Sequence, residues 1–319
     1  MEVIYLRHPY RAEQIPTGDV VLAMGFFDGV HLGHQTVIRR AREIATARHA
    51  KLAVLTYTHH PSIVYQTSTE SFRYLSTFDR KLDLLKQLGV DIVYGVSFTS
   101  KLASLTPQAF VDQYMVGLHA VAVVAGFDHT YGRKAVANMA QLPGYARDRF
   151  EVVEVGQVSM DHAKDSSTRI RELIDAGQVA HANELLGYTY QTTGIVIHGE
   201  ARGRTLGYPT ANVEGPAVER LPGIGIYAVW LKVGADWHAG MASIGRNETF
   251  GAHRPVTDEI YLLDFNEEIY GEEVTVAWGG YLRDQVKFDG AEALVEQLDQ
   301  DVINTQRFID QVGGPKLTI

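Results

Sequence analysis

The chain has 319 residues, 45% of them hydrophobic, and a formal net charge of −9. This length predicts about two domains, and the absence of cysteine excludes disulfides, thiol catalysis and Cys-ligated zinc. The acidic balance argues against nucleic acid as a partner, and the sequence has no apolar run long enough to indicate a membrane span. Because the N-terminus also lacks a signal-peptide layout, we expect a cytoplasmic protein that acts on small molecules, and self-association stays open.

Up to residue 187, short apolar strands alternate with helical segments, a pattern typical of a buried parallel sheet with a Rossmann-like α/β fold. The predicted strands are 20–26, 52–57, 91–96, 120–125 and 151–155, and the predicted helices are 35–48, 78–88 and 107–117. Thr77 and Thr106 are placed as N-caps, Pro107 suits a first helical position, and Gly89 suits a helix end. Ligands of such sheets bind beyond the carboxyl ends of the strands.

The segment 25–35 reads Gly-Phe-Phe-Asp-Gly-Val-His-Leu-Gly-His-Gln and lies between the first of these strands and the first helix. A strand, a tight turn and a helix in that order present backbone N–H groups and a positive helix end to one point, which suits a phosphate. His31 and His34 can donate hydrogen bonds to phosphate oxygens there. The alternative is an ordinary turn in which the histidines only cap or pack.

Three further segments carry polar groups near strand ends or at a helix start. Ser166-Ser-Thr-Arg-Ile-Arg171 opens a helix, and Arg169 there opposes the helix dipole unless an anion binds. Gly126-Phe-Asp-His-Thr-Tyr-Gly132 offers Asp128 to Mg²⁺ or to a ligand hydroxyl, with Phe127 or Tyr131 against a ring. His60-Pro61 follows another strand. Each segment has a plainer alternative, namely solvated arginines or a polar turn.

After Gly187 the pattern changes to short alternating runs rich in Tyr, Val, Ile and Thr, which predicts a small antiparallel β-barrel. The predicted strands are 192–198, 226–233, 239–244, 259–265 and 273–278, followed by a closing amphipathic C-terminal helix. We therefore predict domains at 1–187 and 188–319.

The second domain contains the loop Gly199-Glu-Ala-Arg-Gly-Arg-Thr-Leu-Gly-Tyr-Pro-Thr-Ala-Asn212. Its glycines give a flexible cradle and its arginines give positive charge. Thr210 and Asn212 offer the hard oxygen ligands that Mg²⁺ prefers alongside phosphate. The alternative is a tight hairpin loop without a ligand.

These motifs together resemble the prokaryotic bifunctional riboflavin kinase/FMN adenylyltransferase family. The resemblance rests on G-F-F-D-G-V-H-L-G-H, H-P at 60–61, G-F-D-H-T-Y-G, S-S-T-R-I-R and the G-R-x-L-G-Y-P-T-A-N loop, and it runs from about residue 18 to 312. It implies a nucleotidyltransferase domain followed by a barrel of riboflavin kinase type. It also implies ATP, riboflavin, FMN and FAD as substrates and products, with Mg²⁺ as cofactor.

The resemblance also implies roles for individual residues. The catalytic residues would be His31, His34 and Arg169 for adenylyl transfer and Glu259 as the base of the kinase. The ATP-binding residues would be Gly25, Phe26, Phe27, Asp28, Gly29, His31, His34, Ser166, Ser167, Thr168 and Arg169 in the first site, and Gly199, Arg202, Gly203, Arg204, Gly207, Pro209, Thr210 and Asn212 in the second. The flavin-side residues would be His60, Pro61, Phe127, Asp128 and Tyr131 in the first site and Arg283 in the second.

Two alternatives to the bifunctional enzyme stay open. Only one of the two activities could be retained, or the barrel could be a flavin-sensing regulatory module attached to a nucleotidyltransferase with another substrate.

Overall fold

A computed structural model describes residues 1–65, 72–156, 159–160, 163–164, 166–199, 202–245 and 256–319. The chain divides into two compact units. The first unit contains Met1–Phe72, Thr77–Ser166 and Ile319, and the second contains Arg73–Ser76 and Ser167–Thr318. The helices at 167–186 thus group with the barrel by their contacts, whereas the boundary between functional domains at 187/188 stays a prediction.

The first unit is built on a six-stranded sheet in which every neighbouring pair is parallel, in the order β1-β4-β3-β2-β5-β6. Its strands are β1 (Glu2–Arg7), β2 (Val20–Met24), β3 (Lys51–Tyr57), β4 (Ile92–Ser97), β5 (Ala120–Gly126) and β6 (Glu151–Val155). Every residue of β2 is buried, as expected for a strand covered on both faces. The strand order reverses between β2 and β5, so the sheet has its switch point at their carboxyl ends.

Two helices of this unit begin after the predicted caps Thr77 and Thr106, whereas the helix predicted over 35–48 begins at Leu32. The described part of the unit contains six α-helices. They are α1 (Leu32–Arg48), α2 (Ser62–Tyr65), α3 (Phe78–Gln87), α4 (Ser100–Ala103), α5 (Pro107–Tyr114) and α6 (Leu142–Ala146). The Thr77 and Thr106 hydroxyls each accept a hydrogen bond at 3.2 Å, from the N–H groups of Arg80 and Ala109. Gly89, at φ 75°, follows the end of α3. These hydrogen bonds confirm Thr77 and Thr106 as the caps of two helices. A short antiparallel pair follows, β7 (Ser159–Met160) and β8 (Ala163–Lys164).

The second unit contains a closed antiparallel barrel in the order β10-β13-β12-β11-β14-β9. Its strands are β9 (Gln191–Ile197), β10 (Thr210–Glu214), β11 (Gly225–Val233), β12 (Asp236–Gly245), β13 (Thr257–Leu262) and β14 (Glu273–Arg283). Its helices are α7 (Ser167–Asp175), α8 (Val179–Leu186), α9 (Arg202–Thr205) and the long C-terminal α10 (Ala291–Val312). Asn183 fixes α8 to the barrel, because its amide donates to the Trp278 carbonyl at 2.9 Å and accepts from the Tyr190 N–H at 2.7 Å.

The structure confirms the predicted fold class and adds four strands that the sequence analysis missed, namely the short pair β7 and β8 and the strands β1 and β10 of the two main sheets. β1 forms one edge of the parallel sheet by pairing with β4, and β10 closes the barrel. None of the helices in the described parts of the chain is long and apolar enough to cross a membrane.

Candidate active sites

Three motifs of the first unit lie at the carboxyl ends of adjacent strands. The segment from Gly25 follows β2, His60 follows β3, and Phe127 follows β5. Because β3, β2 and β5 are neighbours in a parallel sheet, their carboxyl ends meet at one edge. This edge includes the switch point, where open α/β sheets bind their ligands.

The two histidines lie side by side at the start of α1. His31 is the N-cap residue, and its ring stacks on that of His34 with a centroid distance of 3.7 Å and an interplanar angle of 25°. The Phe27 ring contacts His34 edge-on, and His31 is 5% exposed. Two imidazoles at the positive end of a 17-residue helix form a site suited to an anion.

Buried polar groups support the turn before these histidines, and the sequence analysis missed them. The Gln35 amide donates to the Val30 carbonyl at 2.9 Å. The carbonyl of Phe26 accepts from the Thr56 hydroxyl at 2.8 Å and from the Lys81 ammonium at 2.7 Å. Lys81 falls on the same helix face as the buried leucines of α3, which is the sequence signal that could have revealed it.

The flavin-side candidates of this unit have three kinds of surroundings. His60 stacks on Phe72 at a centroid distance of 4.0 Å, and Phe26 meets His60 edge-on at 5.0 Å, so they form an aromatic cluster. Phe127, 40% exposed, and Asp128 offer accessible side chains. Tyr131 differs, because its ring is buried against Phe110 in the core, and burial raises the pKa of its hydroxyl.

The Ser-Ser-Thr-Arg segment starts a helix, as the sequence predicts. Helix α7 begins at Ser167, so Ser166 occupies the position of an N-cap residue, and Thr168 and Arg169 are exposed in the first turn. This helix belongs to the second compact unit. Its role at a phosphate stays a prediction.

In the barrel, strand register brings the kinase candidates together. Asn212 of β10 lies directly opposite Glu259 of β13, and Thr210 lies opposite Tyr261. Because alternate residues of a strand share a face, Thr210, Asn212 and Glu259 occupy one face of the barrel wall. The Thr257 hydroxyl also donates to Glu259 Oε1 at 3.3 Å.

The glycines of the loop before β10 allow close approaches. A Cβ atom at Gly199 would lie 2.1 Å from Asn212 Nδ2, and one at Gly203 would lie 2.1 Å from the Tyr208 carbonyl oxygen. Gly207 has φ 85°, a conformation that favours glycine. The side chain of Arg202 lies outside the described residues.

A cavity of ≈ 460 Å³ opens beside this loop. Arg204, Pro209 and Thr210 line it together with apolar side chains of β13, and the segment 265–270 completes the wall. Tyr270 in that wall stacks on His198 at a centroid distance of 3.8 Å. The volume of this cavity falls within the range of small-molecule sites. Its lining includes predicted ATP-binding residues, among them the metal-ligand candidate Thr210.

Arg283 is held by an ion pair. Its Nε and Nη2 donate to the two carboxylate oxygens of Asp301 on α10 at 2.8 and 2.5 Å, and Nη1 donates to the Asp284 carbonyl at 2.8 Å. Asp301 is 1% exposed. The guanidinium therefore ties α10 to β14, and contact with a flavin stays a prediction.

Comparison with known proteins places these sites in a family. A family model described as FAD synthetase matches residues 13–169, and one described as Riboflavin kinase matches residues 186–309. The chain is 46% identical over 308 residues to a bifunctional riboflavin kinase/FMN adenylyltransferase of Listeria monocytogenes, covering 97% of this chain and 98% of that protein. The chain belongs to the bifunctional riboflavin kinase/FMN adenylyltransferase family. Both enzymatic activities and the flavin and ATP substrates follow from this membership.

Other relatives agree over the full length. The bifunctional riboflavin kinase/FMN adenylyltransferase of Bacillus subtilis is 38% identical, over 98% of this chain and 99% of its own. A solved structure from Streptococcus pneumoniae, described as a macrolide-efflux protein, superposes with a TM-score of 0.87 at 36% identity, covering 95% of this chain and 99% of that one. That description concerns the Streptococcus protein, and the shared fold is what bears on this chain.

Proposed function

We propose that the two activities of the family reside in separate sites, with riboflavin phosphorylation in the barrel and FMN adenylylation at the switch point of the parallel sheet. The observation that carries this assignment is the pairing of Asn212 with Glu259 across β10 and β13, with Thr210 on the same face of the barrel wall. The stacked histidines at the start of α1 form an anion site of a different kind in the other unit.

In the kinase step, Glu259 acts as the general base. Its carboxylate takes the proton from the terminal ribityl hydroxyl of riboflavin, whose oxygen attacks the γ-phosphorus of ATP. ADP leaves and FMN forms. Because phosphoryl transfer depends mainly on positioning and charge neutralisation, the loop glycines and Arg204 contribute by holding the nucleotide phosphates.

Thr210 and Asn212 would hold Mg²⁺ in this site. Their side-chain oxygens suit a hard cation that keeps several waters and also binds substrate phosphate. Within the described ranges, no group of three His, Asp or Glu side chains is arranged to hold a metal. The ion would neutralise phosphate charge. Asp128 is a second candidate ligand, in the adenylylation site.

In the adenylylation step, a phosphate oxygen of FMN attacks the α-phosphorus of a second ATP, and pyrophosphate leaves as FAD forms. His31 and His34 stabilise the charge on the phosphates, and the backbone from Gly25 to Gly29 holds them. The aromatic cluster of Phe26, His60 and Phe72 is available to the flavin ring. Since both steps consume ATP, we place the enzyme in the cytoplasm, acting on small molecules and not on nucleic acid.

The test is to incubate the full chain with riboflavin and MgATP and to separate the flavins by chromatography. We expect FMN to appear first and FAD to follow, and we expect EDTA to abolish FMN formation. Formation of neither product would contradict the proposal.

A second incubation supplies FMN and MgATP in place of riboflavin and separates the remaining alternatives. FAD formed from FMN but no FMN formed from riboflavin would favour a barrel that binds flavin without phosphorylating it. FMN formed without FAD would show that only the kinase activity is retained.

A further inference from the structure

The turn that carries the first anion site has an unusual backbone. Phe27 has φ 54° and ψ 35°, and Val30 has φ 37°, so two non-glycine residues lie in the left-handed region on either side of Asp28 and Gly29. Such conformations persist only where the surroundings hold them, and they cluster at functional sites. Phe27, Asp28 and Val30 are all buried. Something in the interior must therefore hold this turn.

Lys81 makes the contacts that do so. Its ammonium donates to the carbonyl of Phe26, the residue directly before the left-handed Phe27, at 2.7 Å. It also lies 4.2 Å from the centroid of the Phe26 ring and 3.5 Å from the Thr56 hydroxyl, which bonds the same carbonyl. The Lys81 ammonium thus contacts both the backbone carbonyl and the ring of Phe26.

Burying the charged ammonium of Lys81 costs free energy, and the packing of its side chain does not explain why a cation stands at this position. The side chain is 3% exposed, and lysine is almost never so buried without a partner. Burial lowers the pKa of its ammonium to about 8, and the nearby Asp28 carboxylate opposes this shift. Because an apolar side chain of similar volume usually stabilises such a position at least as well, the retained cation points to a role in arranging the turn.

We propose that Lys81 is a positioning residue of the adenylylation site, which fixes the Phe26–Val30 turn so that His31 and His34 meet the phosphates of ATP. The inference rests on the proposed function of that site. Lys81 touches no substrate and acts through the carbonyl of Phe26 and the charge of Asp28. It therefore governs the second step of the reaction and leaves the first step unaffected.

The test measures both reactions in the full chain for Lys81→Met, Lys81→Arg and Lys86→Met. Lys86 is an exposed lysine on the same helix and serves as the matched control. We expect Lys81→Met to lower kcat for FAD formation from FMN by about tenfold or more, because a preorganised electrostatic site is disturbed. FMN formation from riboflavin in the same preparation should change by less than about twofold, and Lys81→Arg, which keeps the positive charge, should retain more of the FAD rate than Lys81→Met.

The pH profile supplies a measurement that a purely structural role would not move. In the wild type, kcat for FAD formation should fall as pH rises through about 8, where Lys81 loses its proton. Asp28 is the charged group that acts on this ammonium, while Thr56, Phe26 and Phe78 contact it with uncharged groups. In Lys81→Arg the alkaline limb should move to higher pH, because a guanidinium keeps its proton.

Three results would overturn the inference: an undiminished FAD rate in Lys81→Met, equal losses of both activities in that variant, or coincident alkaline limbs in the wild type and Lys81→Arg. A wild type that makes no FAD from FMN would instead defeat the proposed function of the site. The two failures are therefore distinguishable, and the wild-type and arginine profiles decide the matter even if the methionine variant does not fold.

Discussion

The two candidate phosphate sites of this chain use β-structure in opposite ways. In the first unit, functional groups come from the ends of three parallel strands and from a turn whose left-handed backbone is held by buried polar side chains. In the barrel, they come from facing positions of two antiparallel strands, where register alone places Asn212 opposite Glu259. The activity of the first site should therefore change when the buried side chains that hold its turn are substituted. The activity of the barrel site should change mainly when the facing side chains themselves are substituted.

The largest expected effect comes from a substitution in the candidate kinase site of the barrel. Glu259→Gln keeps the shape of the side chain but removes the base, so kcat for FMN formation should fall by about 10²- to 10⁴-fold. FAD formation from supplied FMN should not change. Glu214→Gln, at an exposed position on the adjacent strand β10, is the matched control and should leave both rates intact. A Glu259→Gln enzyme with normal FMN formation would remove this residue from the mechanism.

The next effect belongs to the other region. His31→Ala removes one of the two stacked imidazoles, and FAD formation should fall by about 10²- to 10³-fold, because a donor to the developing phosphate charge is lost. FMN should accumulate when riboflavin is supplied. His181→Ala, an exposed histidine on α8, provides the comparison. If His31→Ala abolished both reactions in a folded protein, the two sites would not be independent.

A third prediction concerns stability, and the chain provides a selective probe. All three tryptophans lie in the second unit, so their fluorescence reports the unfolding of that unit. Arg283→Met leaves the buried Asp301 carboxylate without its cation, and the free energy of unfolding should fall by about 3 kcal/mol in urea titrations.

The double variant Arg283→Met/Asp301→Leu tests the cause of that loss. It removes both charges and should recover most of the stability. If it does so while the KM for riboflavin rises, Arg283 also contacts the flavin. If stability is not recovered, the loss arises from packing and not from the unpaired charge.

The smallest expected effect is a pH slope from Asp258, one residue before the candidate base. Its carboxyl is 4% exposed, and burial, aided by the charge of Glu259, raises its pKa to about 8. An unfolded aspartic acid has a pKa of about 3.9, so the stabilising proton is fully effective below that pH and is lost as pH rises towards 8. The free energy of unfolding should fall by less than about 1.4 kcal/mol per pH unit across this window.

Asp258→Asn should flatten that slope in the tryptophan-monitored unfolding curve. Asp236→Asn, an exposed position on β12, should leave it unchanged. A slope that persists in Asp258→Asn would place the responsible group elsewhere in the barrel.

Much of the first unit could be predicted from sequence because its signals are local. The buried strands β2 to β5 read as apolar runs, and Thr77 and Thr106 mark helix starts by their own hydroxyls. β1 escaped notice, since this edge strand is largely exposed and its partner β4 lies some 90 residues away. β10 was missed because Thr-Ala-Asn-Val-Glu contains few strong strand formers and is fixed by its two neighbours.

The candidate sites, like the fold, could be predicted from the sequence only in part. The motifs revealed which segments carry chemistry, but not what holds them. The contact from Lys81 to Phe26 spans 55 residues, and that from Arg283 to Asp301 joins a strand to a helix 18 residues on. In neither pair does the type of one residue indicate which residue it contacts. Such contacts depend on how elements pack, and a single sequence contains no periodicity that encodes them.

The absence of a side chain at Gly199 determines how much space the side chain of Asn212 has. Its missing side chain leaves room for the Asn212 amide, and a single added methyl group would have to push that amide aside. Gly199 does not line the neighbouring cavity, so the displacement would spare the cavity wall. One added carbon atom at position 199 would therefore act on the Asn212 side chain, a candidate Mg²⁺ ligand, and not on the residues that line the cavity.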